Sequence, residues 1–147
     1  GETLLSKVAE LMFVDVVRRY IDTLPADAGS WLSGLRDPQI GAALALMHGR
    51  PAEPWTLERL AREVGLSRSA FADRFAHFVD ESPLQYLTRW RMQLAAGLLT
   101  SGRDPIARVA EAVGYDSEAA FNRAFKREFG VPPARFRSQT RRAHRKN

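Results

Sequence analysis

The chain has 147 residues, a hydrophobic fraction of 45% and a formal net charge of +5, values that fit one ordinary globular domain or two very small ones. It contains no cysteine, which excludes a disulfide framework and a thiolate metal site. No apolar run approaches the length of a membrane-spanning helix, and no signal peptide is visible, so we expect a cytoplasmic protein.

Basic residues are concentrated in the C-terminal two thirds of the chain. Residues 1–50 hold 5 basic and 6 acidic side chains, whereas residues 51–147 hold 17 and 11. Such an excess suits a surface that binds phosphate groups. It is equally typical of a solvated cationic surface, so charge alone does not distinguish the two.

The chain begins with a predicted amphipathic helix over residues 2–24. Its broad apolar face is formed by Leu4, Leu5, Val8, Leu11, Met12, Val16 and Tyr20. This face could pack against the rest of the chain, or it could pair with a partner or with a sensor domain that is missing from this chain. We assign residues 1–36 to this helix and a linker, because Pro25, Gly29 and Gly34 interrupt the helical pattern.

A second helix is predicted from Asp37 to about His48. Asp37 is a good capping residue, and Pro38 suits the first helical position. The helix places Ile40, Leu44 and Met47 inward, and a loop over residues 49–54 follows.

Two short helices joined by a tight turn come next. Thr56 is expected to cap the first helix, which ends at Val64. Gly65 supplies the left-handed backbone conformation that a sharp turn needs. Ser67 is expected to cap the second helix, which runs to about Val79.

Pro83 opens a long connecting helix that ends near Thr100. Its predicted buried positions are Leu84, Leu87, Met92, Leu94, Ala95, Leu98 and Leu99. Asp104 and Pro105 are expected to cap the helix that follows.

The pair of helices then recurs, with a first helix over residues 106–113, a turn at Gly114 and a cap at Ser117. The second helix carries phenylalanines at i, i+4 and i+8, which form one apolar stripe: Phe121, Phe125 and Phe129. Gly130 ends it. We expect a short helix after Pro133 that holds Phe136, and a disordered basic tail over residues 140–147.

Two copies of one pattern therefore lie about fifty residues apart, the signature of duplicated supersecondary units. The recurring residues of the first copy are Ala61, Val64, Gly65, Ser67, Ala70, Phe71, Phe75 and Pro83, and their counterparts are Ala110, Val113, Gly114, Ser117, Ala120, Phe121, Phe125 and Pro133. The second copy has one extra residue in its turn. Two helices joined by a short glycine turn, the second of them polar on its outer side, form the arrangement that places a recognition helix in a DNA major groove.

The second copy and the residues after it closely resemble the signature of the AraC/XylS family of bacterial transcription regulators. The matching residues are Val113, Gly114, Tyr115, Phe121, Phe125, Lys126, Arg127, Gly130, Pro133, Phe136 and Arg137. The resemblance covers residues 37–139 and implies an all-α fold of seven helices, with two helix-turn-helix modules joined by a long connecting helix. It also implies that recognition helices at about 67–79 and 117–129 enter two successive major-groove segments of double-stranded DNA.

The resemblance implies which residues face DNA. The base-facing positions are Arg68, Ser69, Ala72, Asp73, Glu118, Ala119, Ala120, Asn122 and Arg123. The positions expected to bind phosphate are Ser67, Arg89, Arg91, Ser117 and Lys126. Arg123 could bind guanine through two hydrogen bonds, and Asn122 could bind adenine in the same way.

The first module departs from the family pattern at two positions. Asp73 stands where an arginine is frequent, and Ala72 cannot form a side-chain hydrogen bond. Asp73 could accept a hydrogen bond from cytosine N4, or it could pair with a neighbouring arginine. We therefore expect the second module to carry more of the direct readout.

The run from Trp55 to Met92 is similar to family members whose N-terminal half is a cupin-like sensor. The resemblance implies a longer protein with a sensor and its small-molecule effector, acting as an activator or repressor associated with the nucleoid. RNA polymerase is a further possible partner, and the apolar face over residues 4–20 could form a homodimer. No cofactor and no membrane partner are expected.

Two other functional classes compete with DNA binding. An enzyme is not expected, because His48, His77 and His144 lack metal-ligand spacing and the chain has neither a glycine-rich phosphate loop nor a Gly-x-Ser-x-Gly elbow. A protein-interaction module stays open, since the same basic helices could dock an acidic partner. The salt dependence of binding and competition with bulk DNA would separate this alternative from sequence-specific DNA binding.

Overall fold

The structure, a computed structural model, describes residues 35–146. The predicted helix over residues 2–24, with its apolar face over residues 4–20, lies outside the described residues. Within residues 35–146 the chain forms seven helices and no strand, which confirms the all-α fold class: α1 Pro38–Gly49, α2 Leu57–Glu63, α3 Arg68–Val79, α4 Pro83–Ser101, α5 Ile106–Ala112, α6 Glu118–Phe129 and α7 Pro133–Arg145.

The described residues divide into two compact units. The first contains residues 35–45 and Leu57–Pro83, and the second contains Leu46–Thr56 and residues 84–146. The α2–α3 pair lies in the first unit and the α5–α6 pair in the second. Each predicted helix-turn-helix module therefore sits in a unit of its own.

In the first unit, the start of α1 is tied to α3. One oxygen of the Asp37 carboxylate accepts hydrogen bonds from the backbone N–H groups of Gln39 and Ile40, both at 3.0 Å. Arg74 of α3 donates to the other oxygen and to the side-chain oxygen of Gln39. Gln39 in turn donates to the backbone oxygen of Val64 at 3.0 Å. The predicted cap at Asp37 is confirmed, and it also carries a tertiary ion pair.

In the second unit, one apolar cluster joins α4, α5 and α6. Its buried members are Met92, Ala95, Leu99, Val109, Ala110, Val113, Phe121 and Phe125. On α4 the cluster uses Met92, Ala95 and Leu99, whose i, i+3, i+7 spacing makes one stripe.

Two predicted core positions of α4 are wrong. Leu84 is 43% exposed and Leu98 is 40% exposed. Leu98 directly precedes the buried Leu99 in sequence. Its side chain therefore points about 100° away from the buried stripe. Leu84 lies in the first turn of α4, ahead of the buried pair Tyr86 and Leu87. The apolar residues of α4 therefore span a wider face of the helix than the face that the core covers.

The predicted cap of α5 is also wrong. Pro105, not Asp104, is the N-cap residue, and no side chain caps this helix. The backbone oxygen of Pro105 accepts from the N–H groups of Arg108 at 3.0 Å and Val109 at 3.2 Å. The proline therefore stands one position earlier, relative to its helix, than Pro38 does in α1.

The C-terminal residues form a longer helix than predicted. α7 runs to Arg145, so the expected disordered tail over residues 140–147 is wrong as far as Arg145. Phe136 packs on Phe125 and Phe129, with ring centroids 5.2 and 5.4 Å away. The Arg137 side chain donates from Nε to the backbone oxygen of Leu99 at 3.2 Å. The contact of Arg137 with Leu99 spans 38 residues in sequence, which is why local composition did not reveal it.

Candidate nucleic-acid interface

The turns of the two modules have the same local geometry. Gly65 has a φ of 75° and Gly114 a φ of 91°, a left-handed conformation that only glycine adopts without strain. The next residue closes each turn, since Leu66 N–H donates to the Ala61 oxygen and Tyr115 N–H to the Ala110 oxygen, both at 2.9 Å. The extra residue of the second turn lies after this closure, before the cap.

The second helix of each module begins at a capping serine, as predicted. The Oγ of Ser67 accepts from the Ala70 N–H at 3.2 Å, and the Oγ of Ser117 accepts from the Ala120 N–H at 3.1 Å. Both serines are exposed. Because each oxygen acts as an acceptor in its cap, the hydroxyl proton can still be donated to a phosphate oxygen.

Paired phenylalanines fix which side of α3 and α6 faces inward. The rings of Phe71 and Phe75 are 5.8 Å apart, those of Phe121 and Phe125 are 5.7 Å apart, and all four are fully buried. These rings are core residues and are inaccessible to bases. The residues on the opposite side of each helix are thereby turned towards solvent.

The predicted base-facing residues of the first module lie on the accessible side of α3. Arg68, Ser69 and Asp73 are exposed, and Ala72 is half-buried. Arg68 pairs with Glu58 of α2 at 3.0 Å, and both side chains are more than 60% exposed. A surface pair of this kind contributes only about 0–1 kcal/mol, so Arg68 can exchange Glu58 for a nucleic-acid group.

The surroundings of Asp73 bear on its two possible roles, which are to accept a hydrogen bond from cytosine or to pair with a neighbouring arginine. The arginine next to it in sequence, Arg74, is paired with Asp37 instead. The exposed carboxylate of Asp73 thus stands beside an arginine that is already engaged in the interior of the unit. This arrangement favours an outward role for Asp73.

The second module offers a more basic face. Glu118, Ala119 and Arg123 are exposed, whereas Ala120 and Asn122 are half-buried. Lys126 is exposed in the last turn of α6, together with Arg127. Arg127 was not among the predicted site residues, although its i, i+4 spacing from Arg123 is a signal for the same helix side.

Arg91 makes contacts within the protein that the sequence did not indicate. Its Nε donates to the backbone oxygen of Pro51 and its Nη2 to that of Glu53, both at 2.7 Å. The same guanidinium lies against the turn at Gly114, where an added Cβ would come within 3.1 Å of it. Arg91 therefore holds the 51–53 loop beside the turn of the second module, and its contact with phosphate stays a prediction.

Tyr115 adds to this contact around the turn. Burial raises the pKa of the Tyr115 hydroxyl, and the positive charges of Arg91 and Arg127 lower it in part. The phenol thus stays neutral at physiological pH. The remaining predicted phosphate contact, Arg89, is exposed, and its guanidinium lies 6.0 Å from the centre of the Tyr86 ring.

The histidines do not form a metal centre with the other described residues. No group of three or more His, Asp or Glu side chains within residues 35–146 could hold a metal ion. His48 instead contacts the Tyr86 hydroxyl at 2.5 Å and lies on the Trp90 ring at 4.2 Å, and burial lowers its pKa. In the same part of the chain, no helix is both long and apolar enough to cross a membrane.

The known proteins that resemble this chain are transcription regulators. A family model described as a helix-turn-helix domain matches residues 60–139. An AraC-like transcription regulator from Streptomyces lividans is 43% identical over 138 residues, which make up 93% of this chain and 45% of that protein. The regulator AlkR from Acinetobacter baylyi is 40% identical over 139 residues, covering 95% of this chain and 45% of AlkR.

Solved structures agree with this fold. The DNA-binding domain of AdpA, crystallised with a target DNA, is 29% identical with a TM-score of 0.71, covering 76% of this chain and 99% of that domain. The C-terminal domain of AraT from Geobacillus stearothermophilus is 32% identical with a TM-score of 0.69, covering 70% and 86%.

The chain spans less than half the length of the two curated relatives. The matched region, residues 60–139, runs from within α2 to within α7 and contains α3, α4, α5 and α6 in full. The chain belongs to the AraC-type helix-turn-helix family of DNA-binding transcription regulators.

Proposed function

We propose that the chain reads double-stranded DNA by placing α3 and α6 in two successive segments of the major groove. One observation carries this proposal: both helices bury a phenylalanine pair on one side and expose polar residues near the N-terminus on the other. Residues near the N-terminus of a recognition helix are those that contact base edges in helix-turn-helix proteins.

The second module has the side chains best suited to direct readout. The exposed Arg123 offers a planar guanidinium that fits the O6 and N7 acceptors of guanine, and Asn122 can bind adenine in the same two-bonded manner. Glu118, Ala119 and Ala120 complete this surface at the start of α6. Lys126, at the other end of the helix, neutralises a backbone phosphate.

The first module has weaker candidates. Arg68 and Ser69 stand at the start of α3, and Asp73 accepts from a cytosine amino group. Ala72 offers only an apolar contact, for which the thymine methyl group is the partner. Ser67, Ser117 and Arg89 fix the position of the protein through phosphate contacts.

The wider role follows from the family. On this proposal the chain is the DNA-binding part of a cytoplasmic, nucleoid-associated activator or repressor. A sensor domain with a small-molecule effector, RNA polymerase and a second copy bound through residues 4–20 are its other partners. No catalytic step is part of this role.

Selection of bound duplexes from a random pool tests the proposal. We expect the sequenced duplexes to share two short conserved blocks, one for each module, and the enriched site to be preferred over random duplex at about 150 mM salt. Equal affinity for every duplex would refute sequence-specific reading. Retention of an acidic protein in preference to any duplex would instead support a protein-interaction module.

A further inference from the structure

A basic cavity lies in the second unit, away from the residues assigned to DNA. It has a volume of about 580 Å³ and is formed by the end of α4, the loop after it and one side of α7. Four arginines line it and none of its lining residues is acidic: Arg103, Arg137, Arg141 and Arg145. Its size falls within the range of about 300–1,000 Å³ typical of small-molecule sites.

One of these arginines has a buried donor without an acceptor. Arg137 is held by its Nε, which donates to the Leu99 oxygen at 3.2 Å. Its Nη2 atom is buried and makes no hydrogen bond to any described residue. Because buried polar groups are almost always paired, this nitrogen leaves Arg137 with a donor that the described residues do not satisfy.

The threonine hydroxyls of the cavity have no donor left, so most of the available donors belong to guanidinium groups. The hydroxyl groups of Thr100 and Thr140 already donate to the oxygens of Ala96 and Phe136, both at 2.8 Å. The Arg141 guanidinium makes only a long contact of 3.4 Å with the Gly102 oxygen. A cavity in which most of the available donors belong to guanidinium groups suits an oxyanion.

The spacing of the arginines supports the same conclusion. Arg137, Arg141 and Arg145 follow at i, i+4 and i+8, which places like charges on one side of α7 at a cost in stability. A bound dianion would remove this repulsion. Guanidinium groups form paired, parallel hydrogen bonds to phosphate oxygens.

The position of α7 separates this cavity from the recognition face of α6. Phe136 packs on Phe125 and Phe129, so α7 lies against the apolar side of α6. Arg123 and Lys126 are exposed on the other side of that helix. A duplex contacted by Arg123 and Lys126 is therefore not the natural occupant of the cavity.

We propose that this cavity binds the phosphate group of a small phosphorylated molecule. Arg137, held by its hydrogen bond to Leu99, lines the cavity, and Arg141 and Arg145 donate to the phosphate from α7. This site is independent of the two recognition helices, so it can be tested whether or not an operator is known.

Titration of the 147-residue chain with inorganic pyrophosphate tests the site, with calorimetry and the ¹⁵N signals of the arginine Nε groups as readouts. We expect saturable one-to-one binding that the double variant Arg141→Ala, Arg145→Ala weakens at least about tenfold. The matched control is the double variant Arg135→Ala, Arg142→Ala, which removes two exposed arginines of α7 outside the cavity and should change affinity less than about twofold. Equal weakening by both variants, or no saturation, would overturn the proposal.

DNA binding by the same variants distinguishes the two sources of phosphate. Each lost contact to a DNA phosphate lowers the slope of log affinity against log salt by about 0.9. We expect the cavity variant to keep the slope of the unchanged chain on a random duplex. A slope that falls by about 1.8 would assign the cavity to the DNA backbone and overturn its assignment to a small molecule.

Discussion

Arg91 and Arg123 carry the same guanidinium group, but their surroundings give them different roles. Arg91 donates two hydrogen bonds of 2.7 Å to backbone oxygens, whereas Arg123 is exposed on α6. Burial lowers the pKa of Arg91, yet an arginine stays charged at any physiological pH. At the scale of one residue, contacts rather than residue type separate an arginine engaged within the protein from one that is available to a ligand.

The substitution Arg123→Ala should relax base preference at a single position of the selected site. Loss of a bidentate contact to guanine removes about 1–3 kcal/mol of discrimination at that position. Titration against the selected duplex and its single-base variants measures this. Lys126→Ala is the control, because loss of a phosphate contact weakens all duplexes alike and reduces the salt slope by about 1. If Arg123→Ala also weakens all duplexes alike, Arg123 contacts phosphate.

The ion pair between Asp37 and Arg74 should make stability depend on acid pH. Burial alone would raise the pKa of Asp37, but hydrogen bonds from Ile40 and Arg74 and the charge of Arg74 outweigh it, so the pKa lies below the ordinary 3.8. A group with a lowered folded-state pKa stabilises the fold fully above its ordinary pKa. This stabilisation is lost as the pH falls through the folded-state value.

The substitution Asp37→Asn keeps a capping side chain but leaves Arg74 without its carboxylate. We expect a loss of about 1–3 kcal/mol in the free energy of unfolding at pH 7, measured by urea denaturation. The difference from the unchanged chain should narrow below pH 3.8, the ordinary pKa of the carboxyl group. A difference that stays constant from pH 7 to pH 2.5 would show that the charge of Asp37 does not stabilise the fold.

At the scale of elements, the two helix pairs share a backbone design but differ in what surrounds their turns. An added Cβ at Gly65 would meet nothing within 4 Å, whereas at Gly114 it would meet the Cα of Ala52 and the Arg91 guanidinium at 3.1 Å. Both glycines have positive φ. The space beside the first turn glycine is therefore open, whereas the second turn glycine is packed against other groups of its unit.

Alanine substitutions at the two turn glycines should accordingly differ in cost. Gly65→Ala should cost about 1–2 kcal/mol, the strain of a left-handed alanine. Gly114→Ala should cost at least about 1 kcal/mol more, since a side chain there also forces apart packed groups. Urea denaturation of both variants measures the difference. Equal costs would indicate that the 51–53 loop moves away from the turn without penalty.

Features that repeat along the chain could be predicted from sequence, because they depend on local chemistry. The turn glycines, the capping serines and the phenylalanine pairs all lie where the two copies place them. Features that depend on distant partners could not. The contacts of Arg91 and Arg137 span 38 to 40 residues in sequence. They hold the Arg91 side chain at the 51–53 loop and attach α7 to the end of α4.

For the molecule as a whole, the cationic excess lies in residues 51–147, where both recognition helices are found. Two exposed cations, Arg89 and Lys126, are assigned to phosphate. We therefore expect log affinity for duplex DNA to fall with log salt with a slope of about −2 or steeper, measured by fluorescence anisotropy from 50 to 300 mM salt. A slope near zero would contradict phosphate binding by Arg89 and Lys126.

Methylation interference on the selected duplex tests most directly whether α3 and α6 both read bases. We expect two interfering segments in the major groove about 10 base pairs apart, one helical turn of DNA. Arg123→Ala should erase one segment and the pair Ser69→Ala, Asp73→Ala should weaken the other. Interference spread evenly along the duplex, or both variants acting on one segment, would contradict reading by two helices.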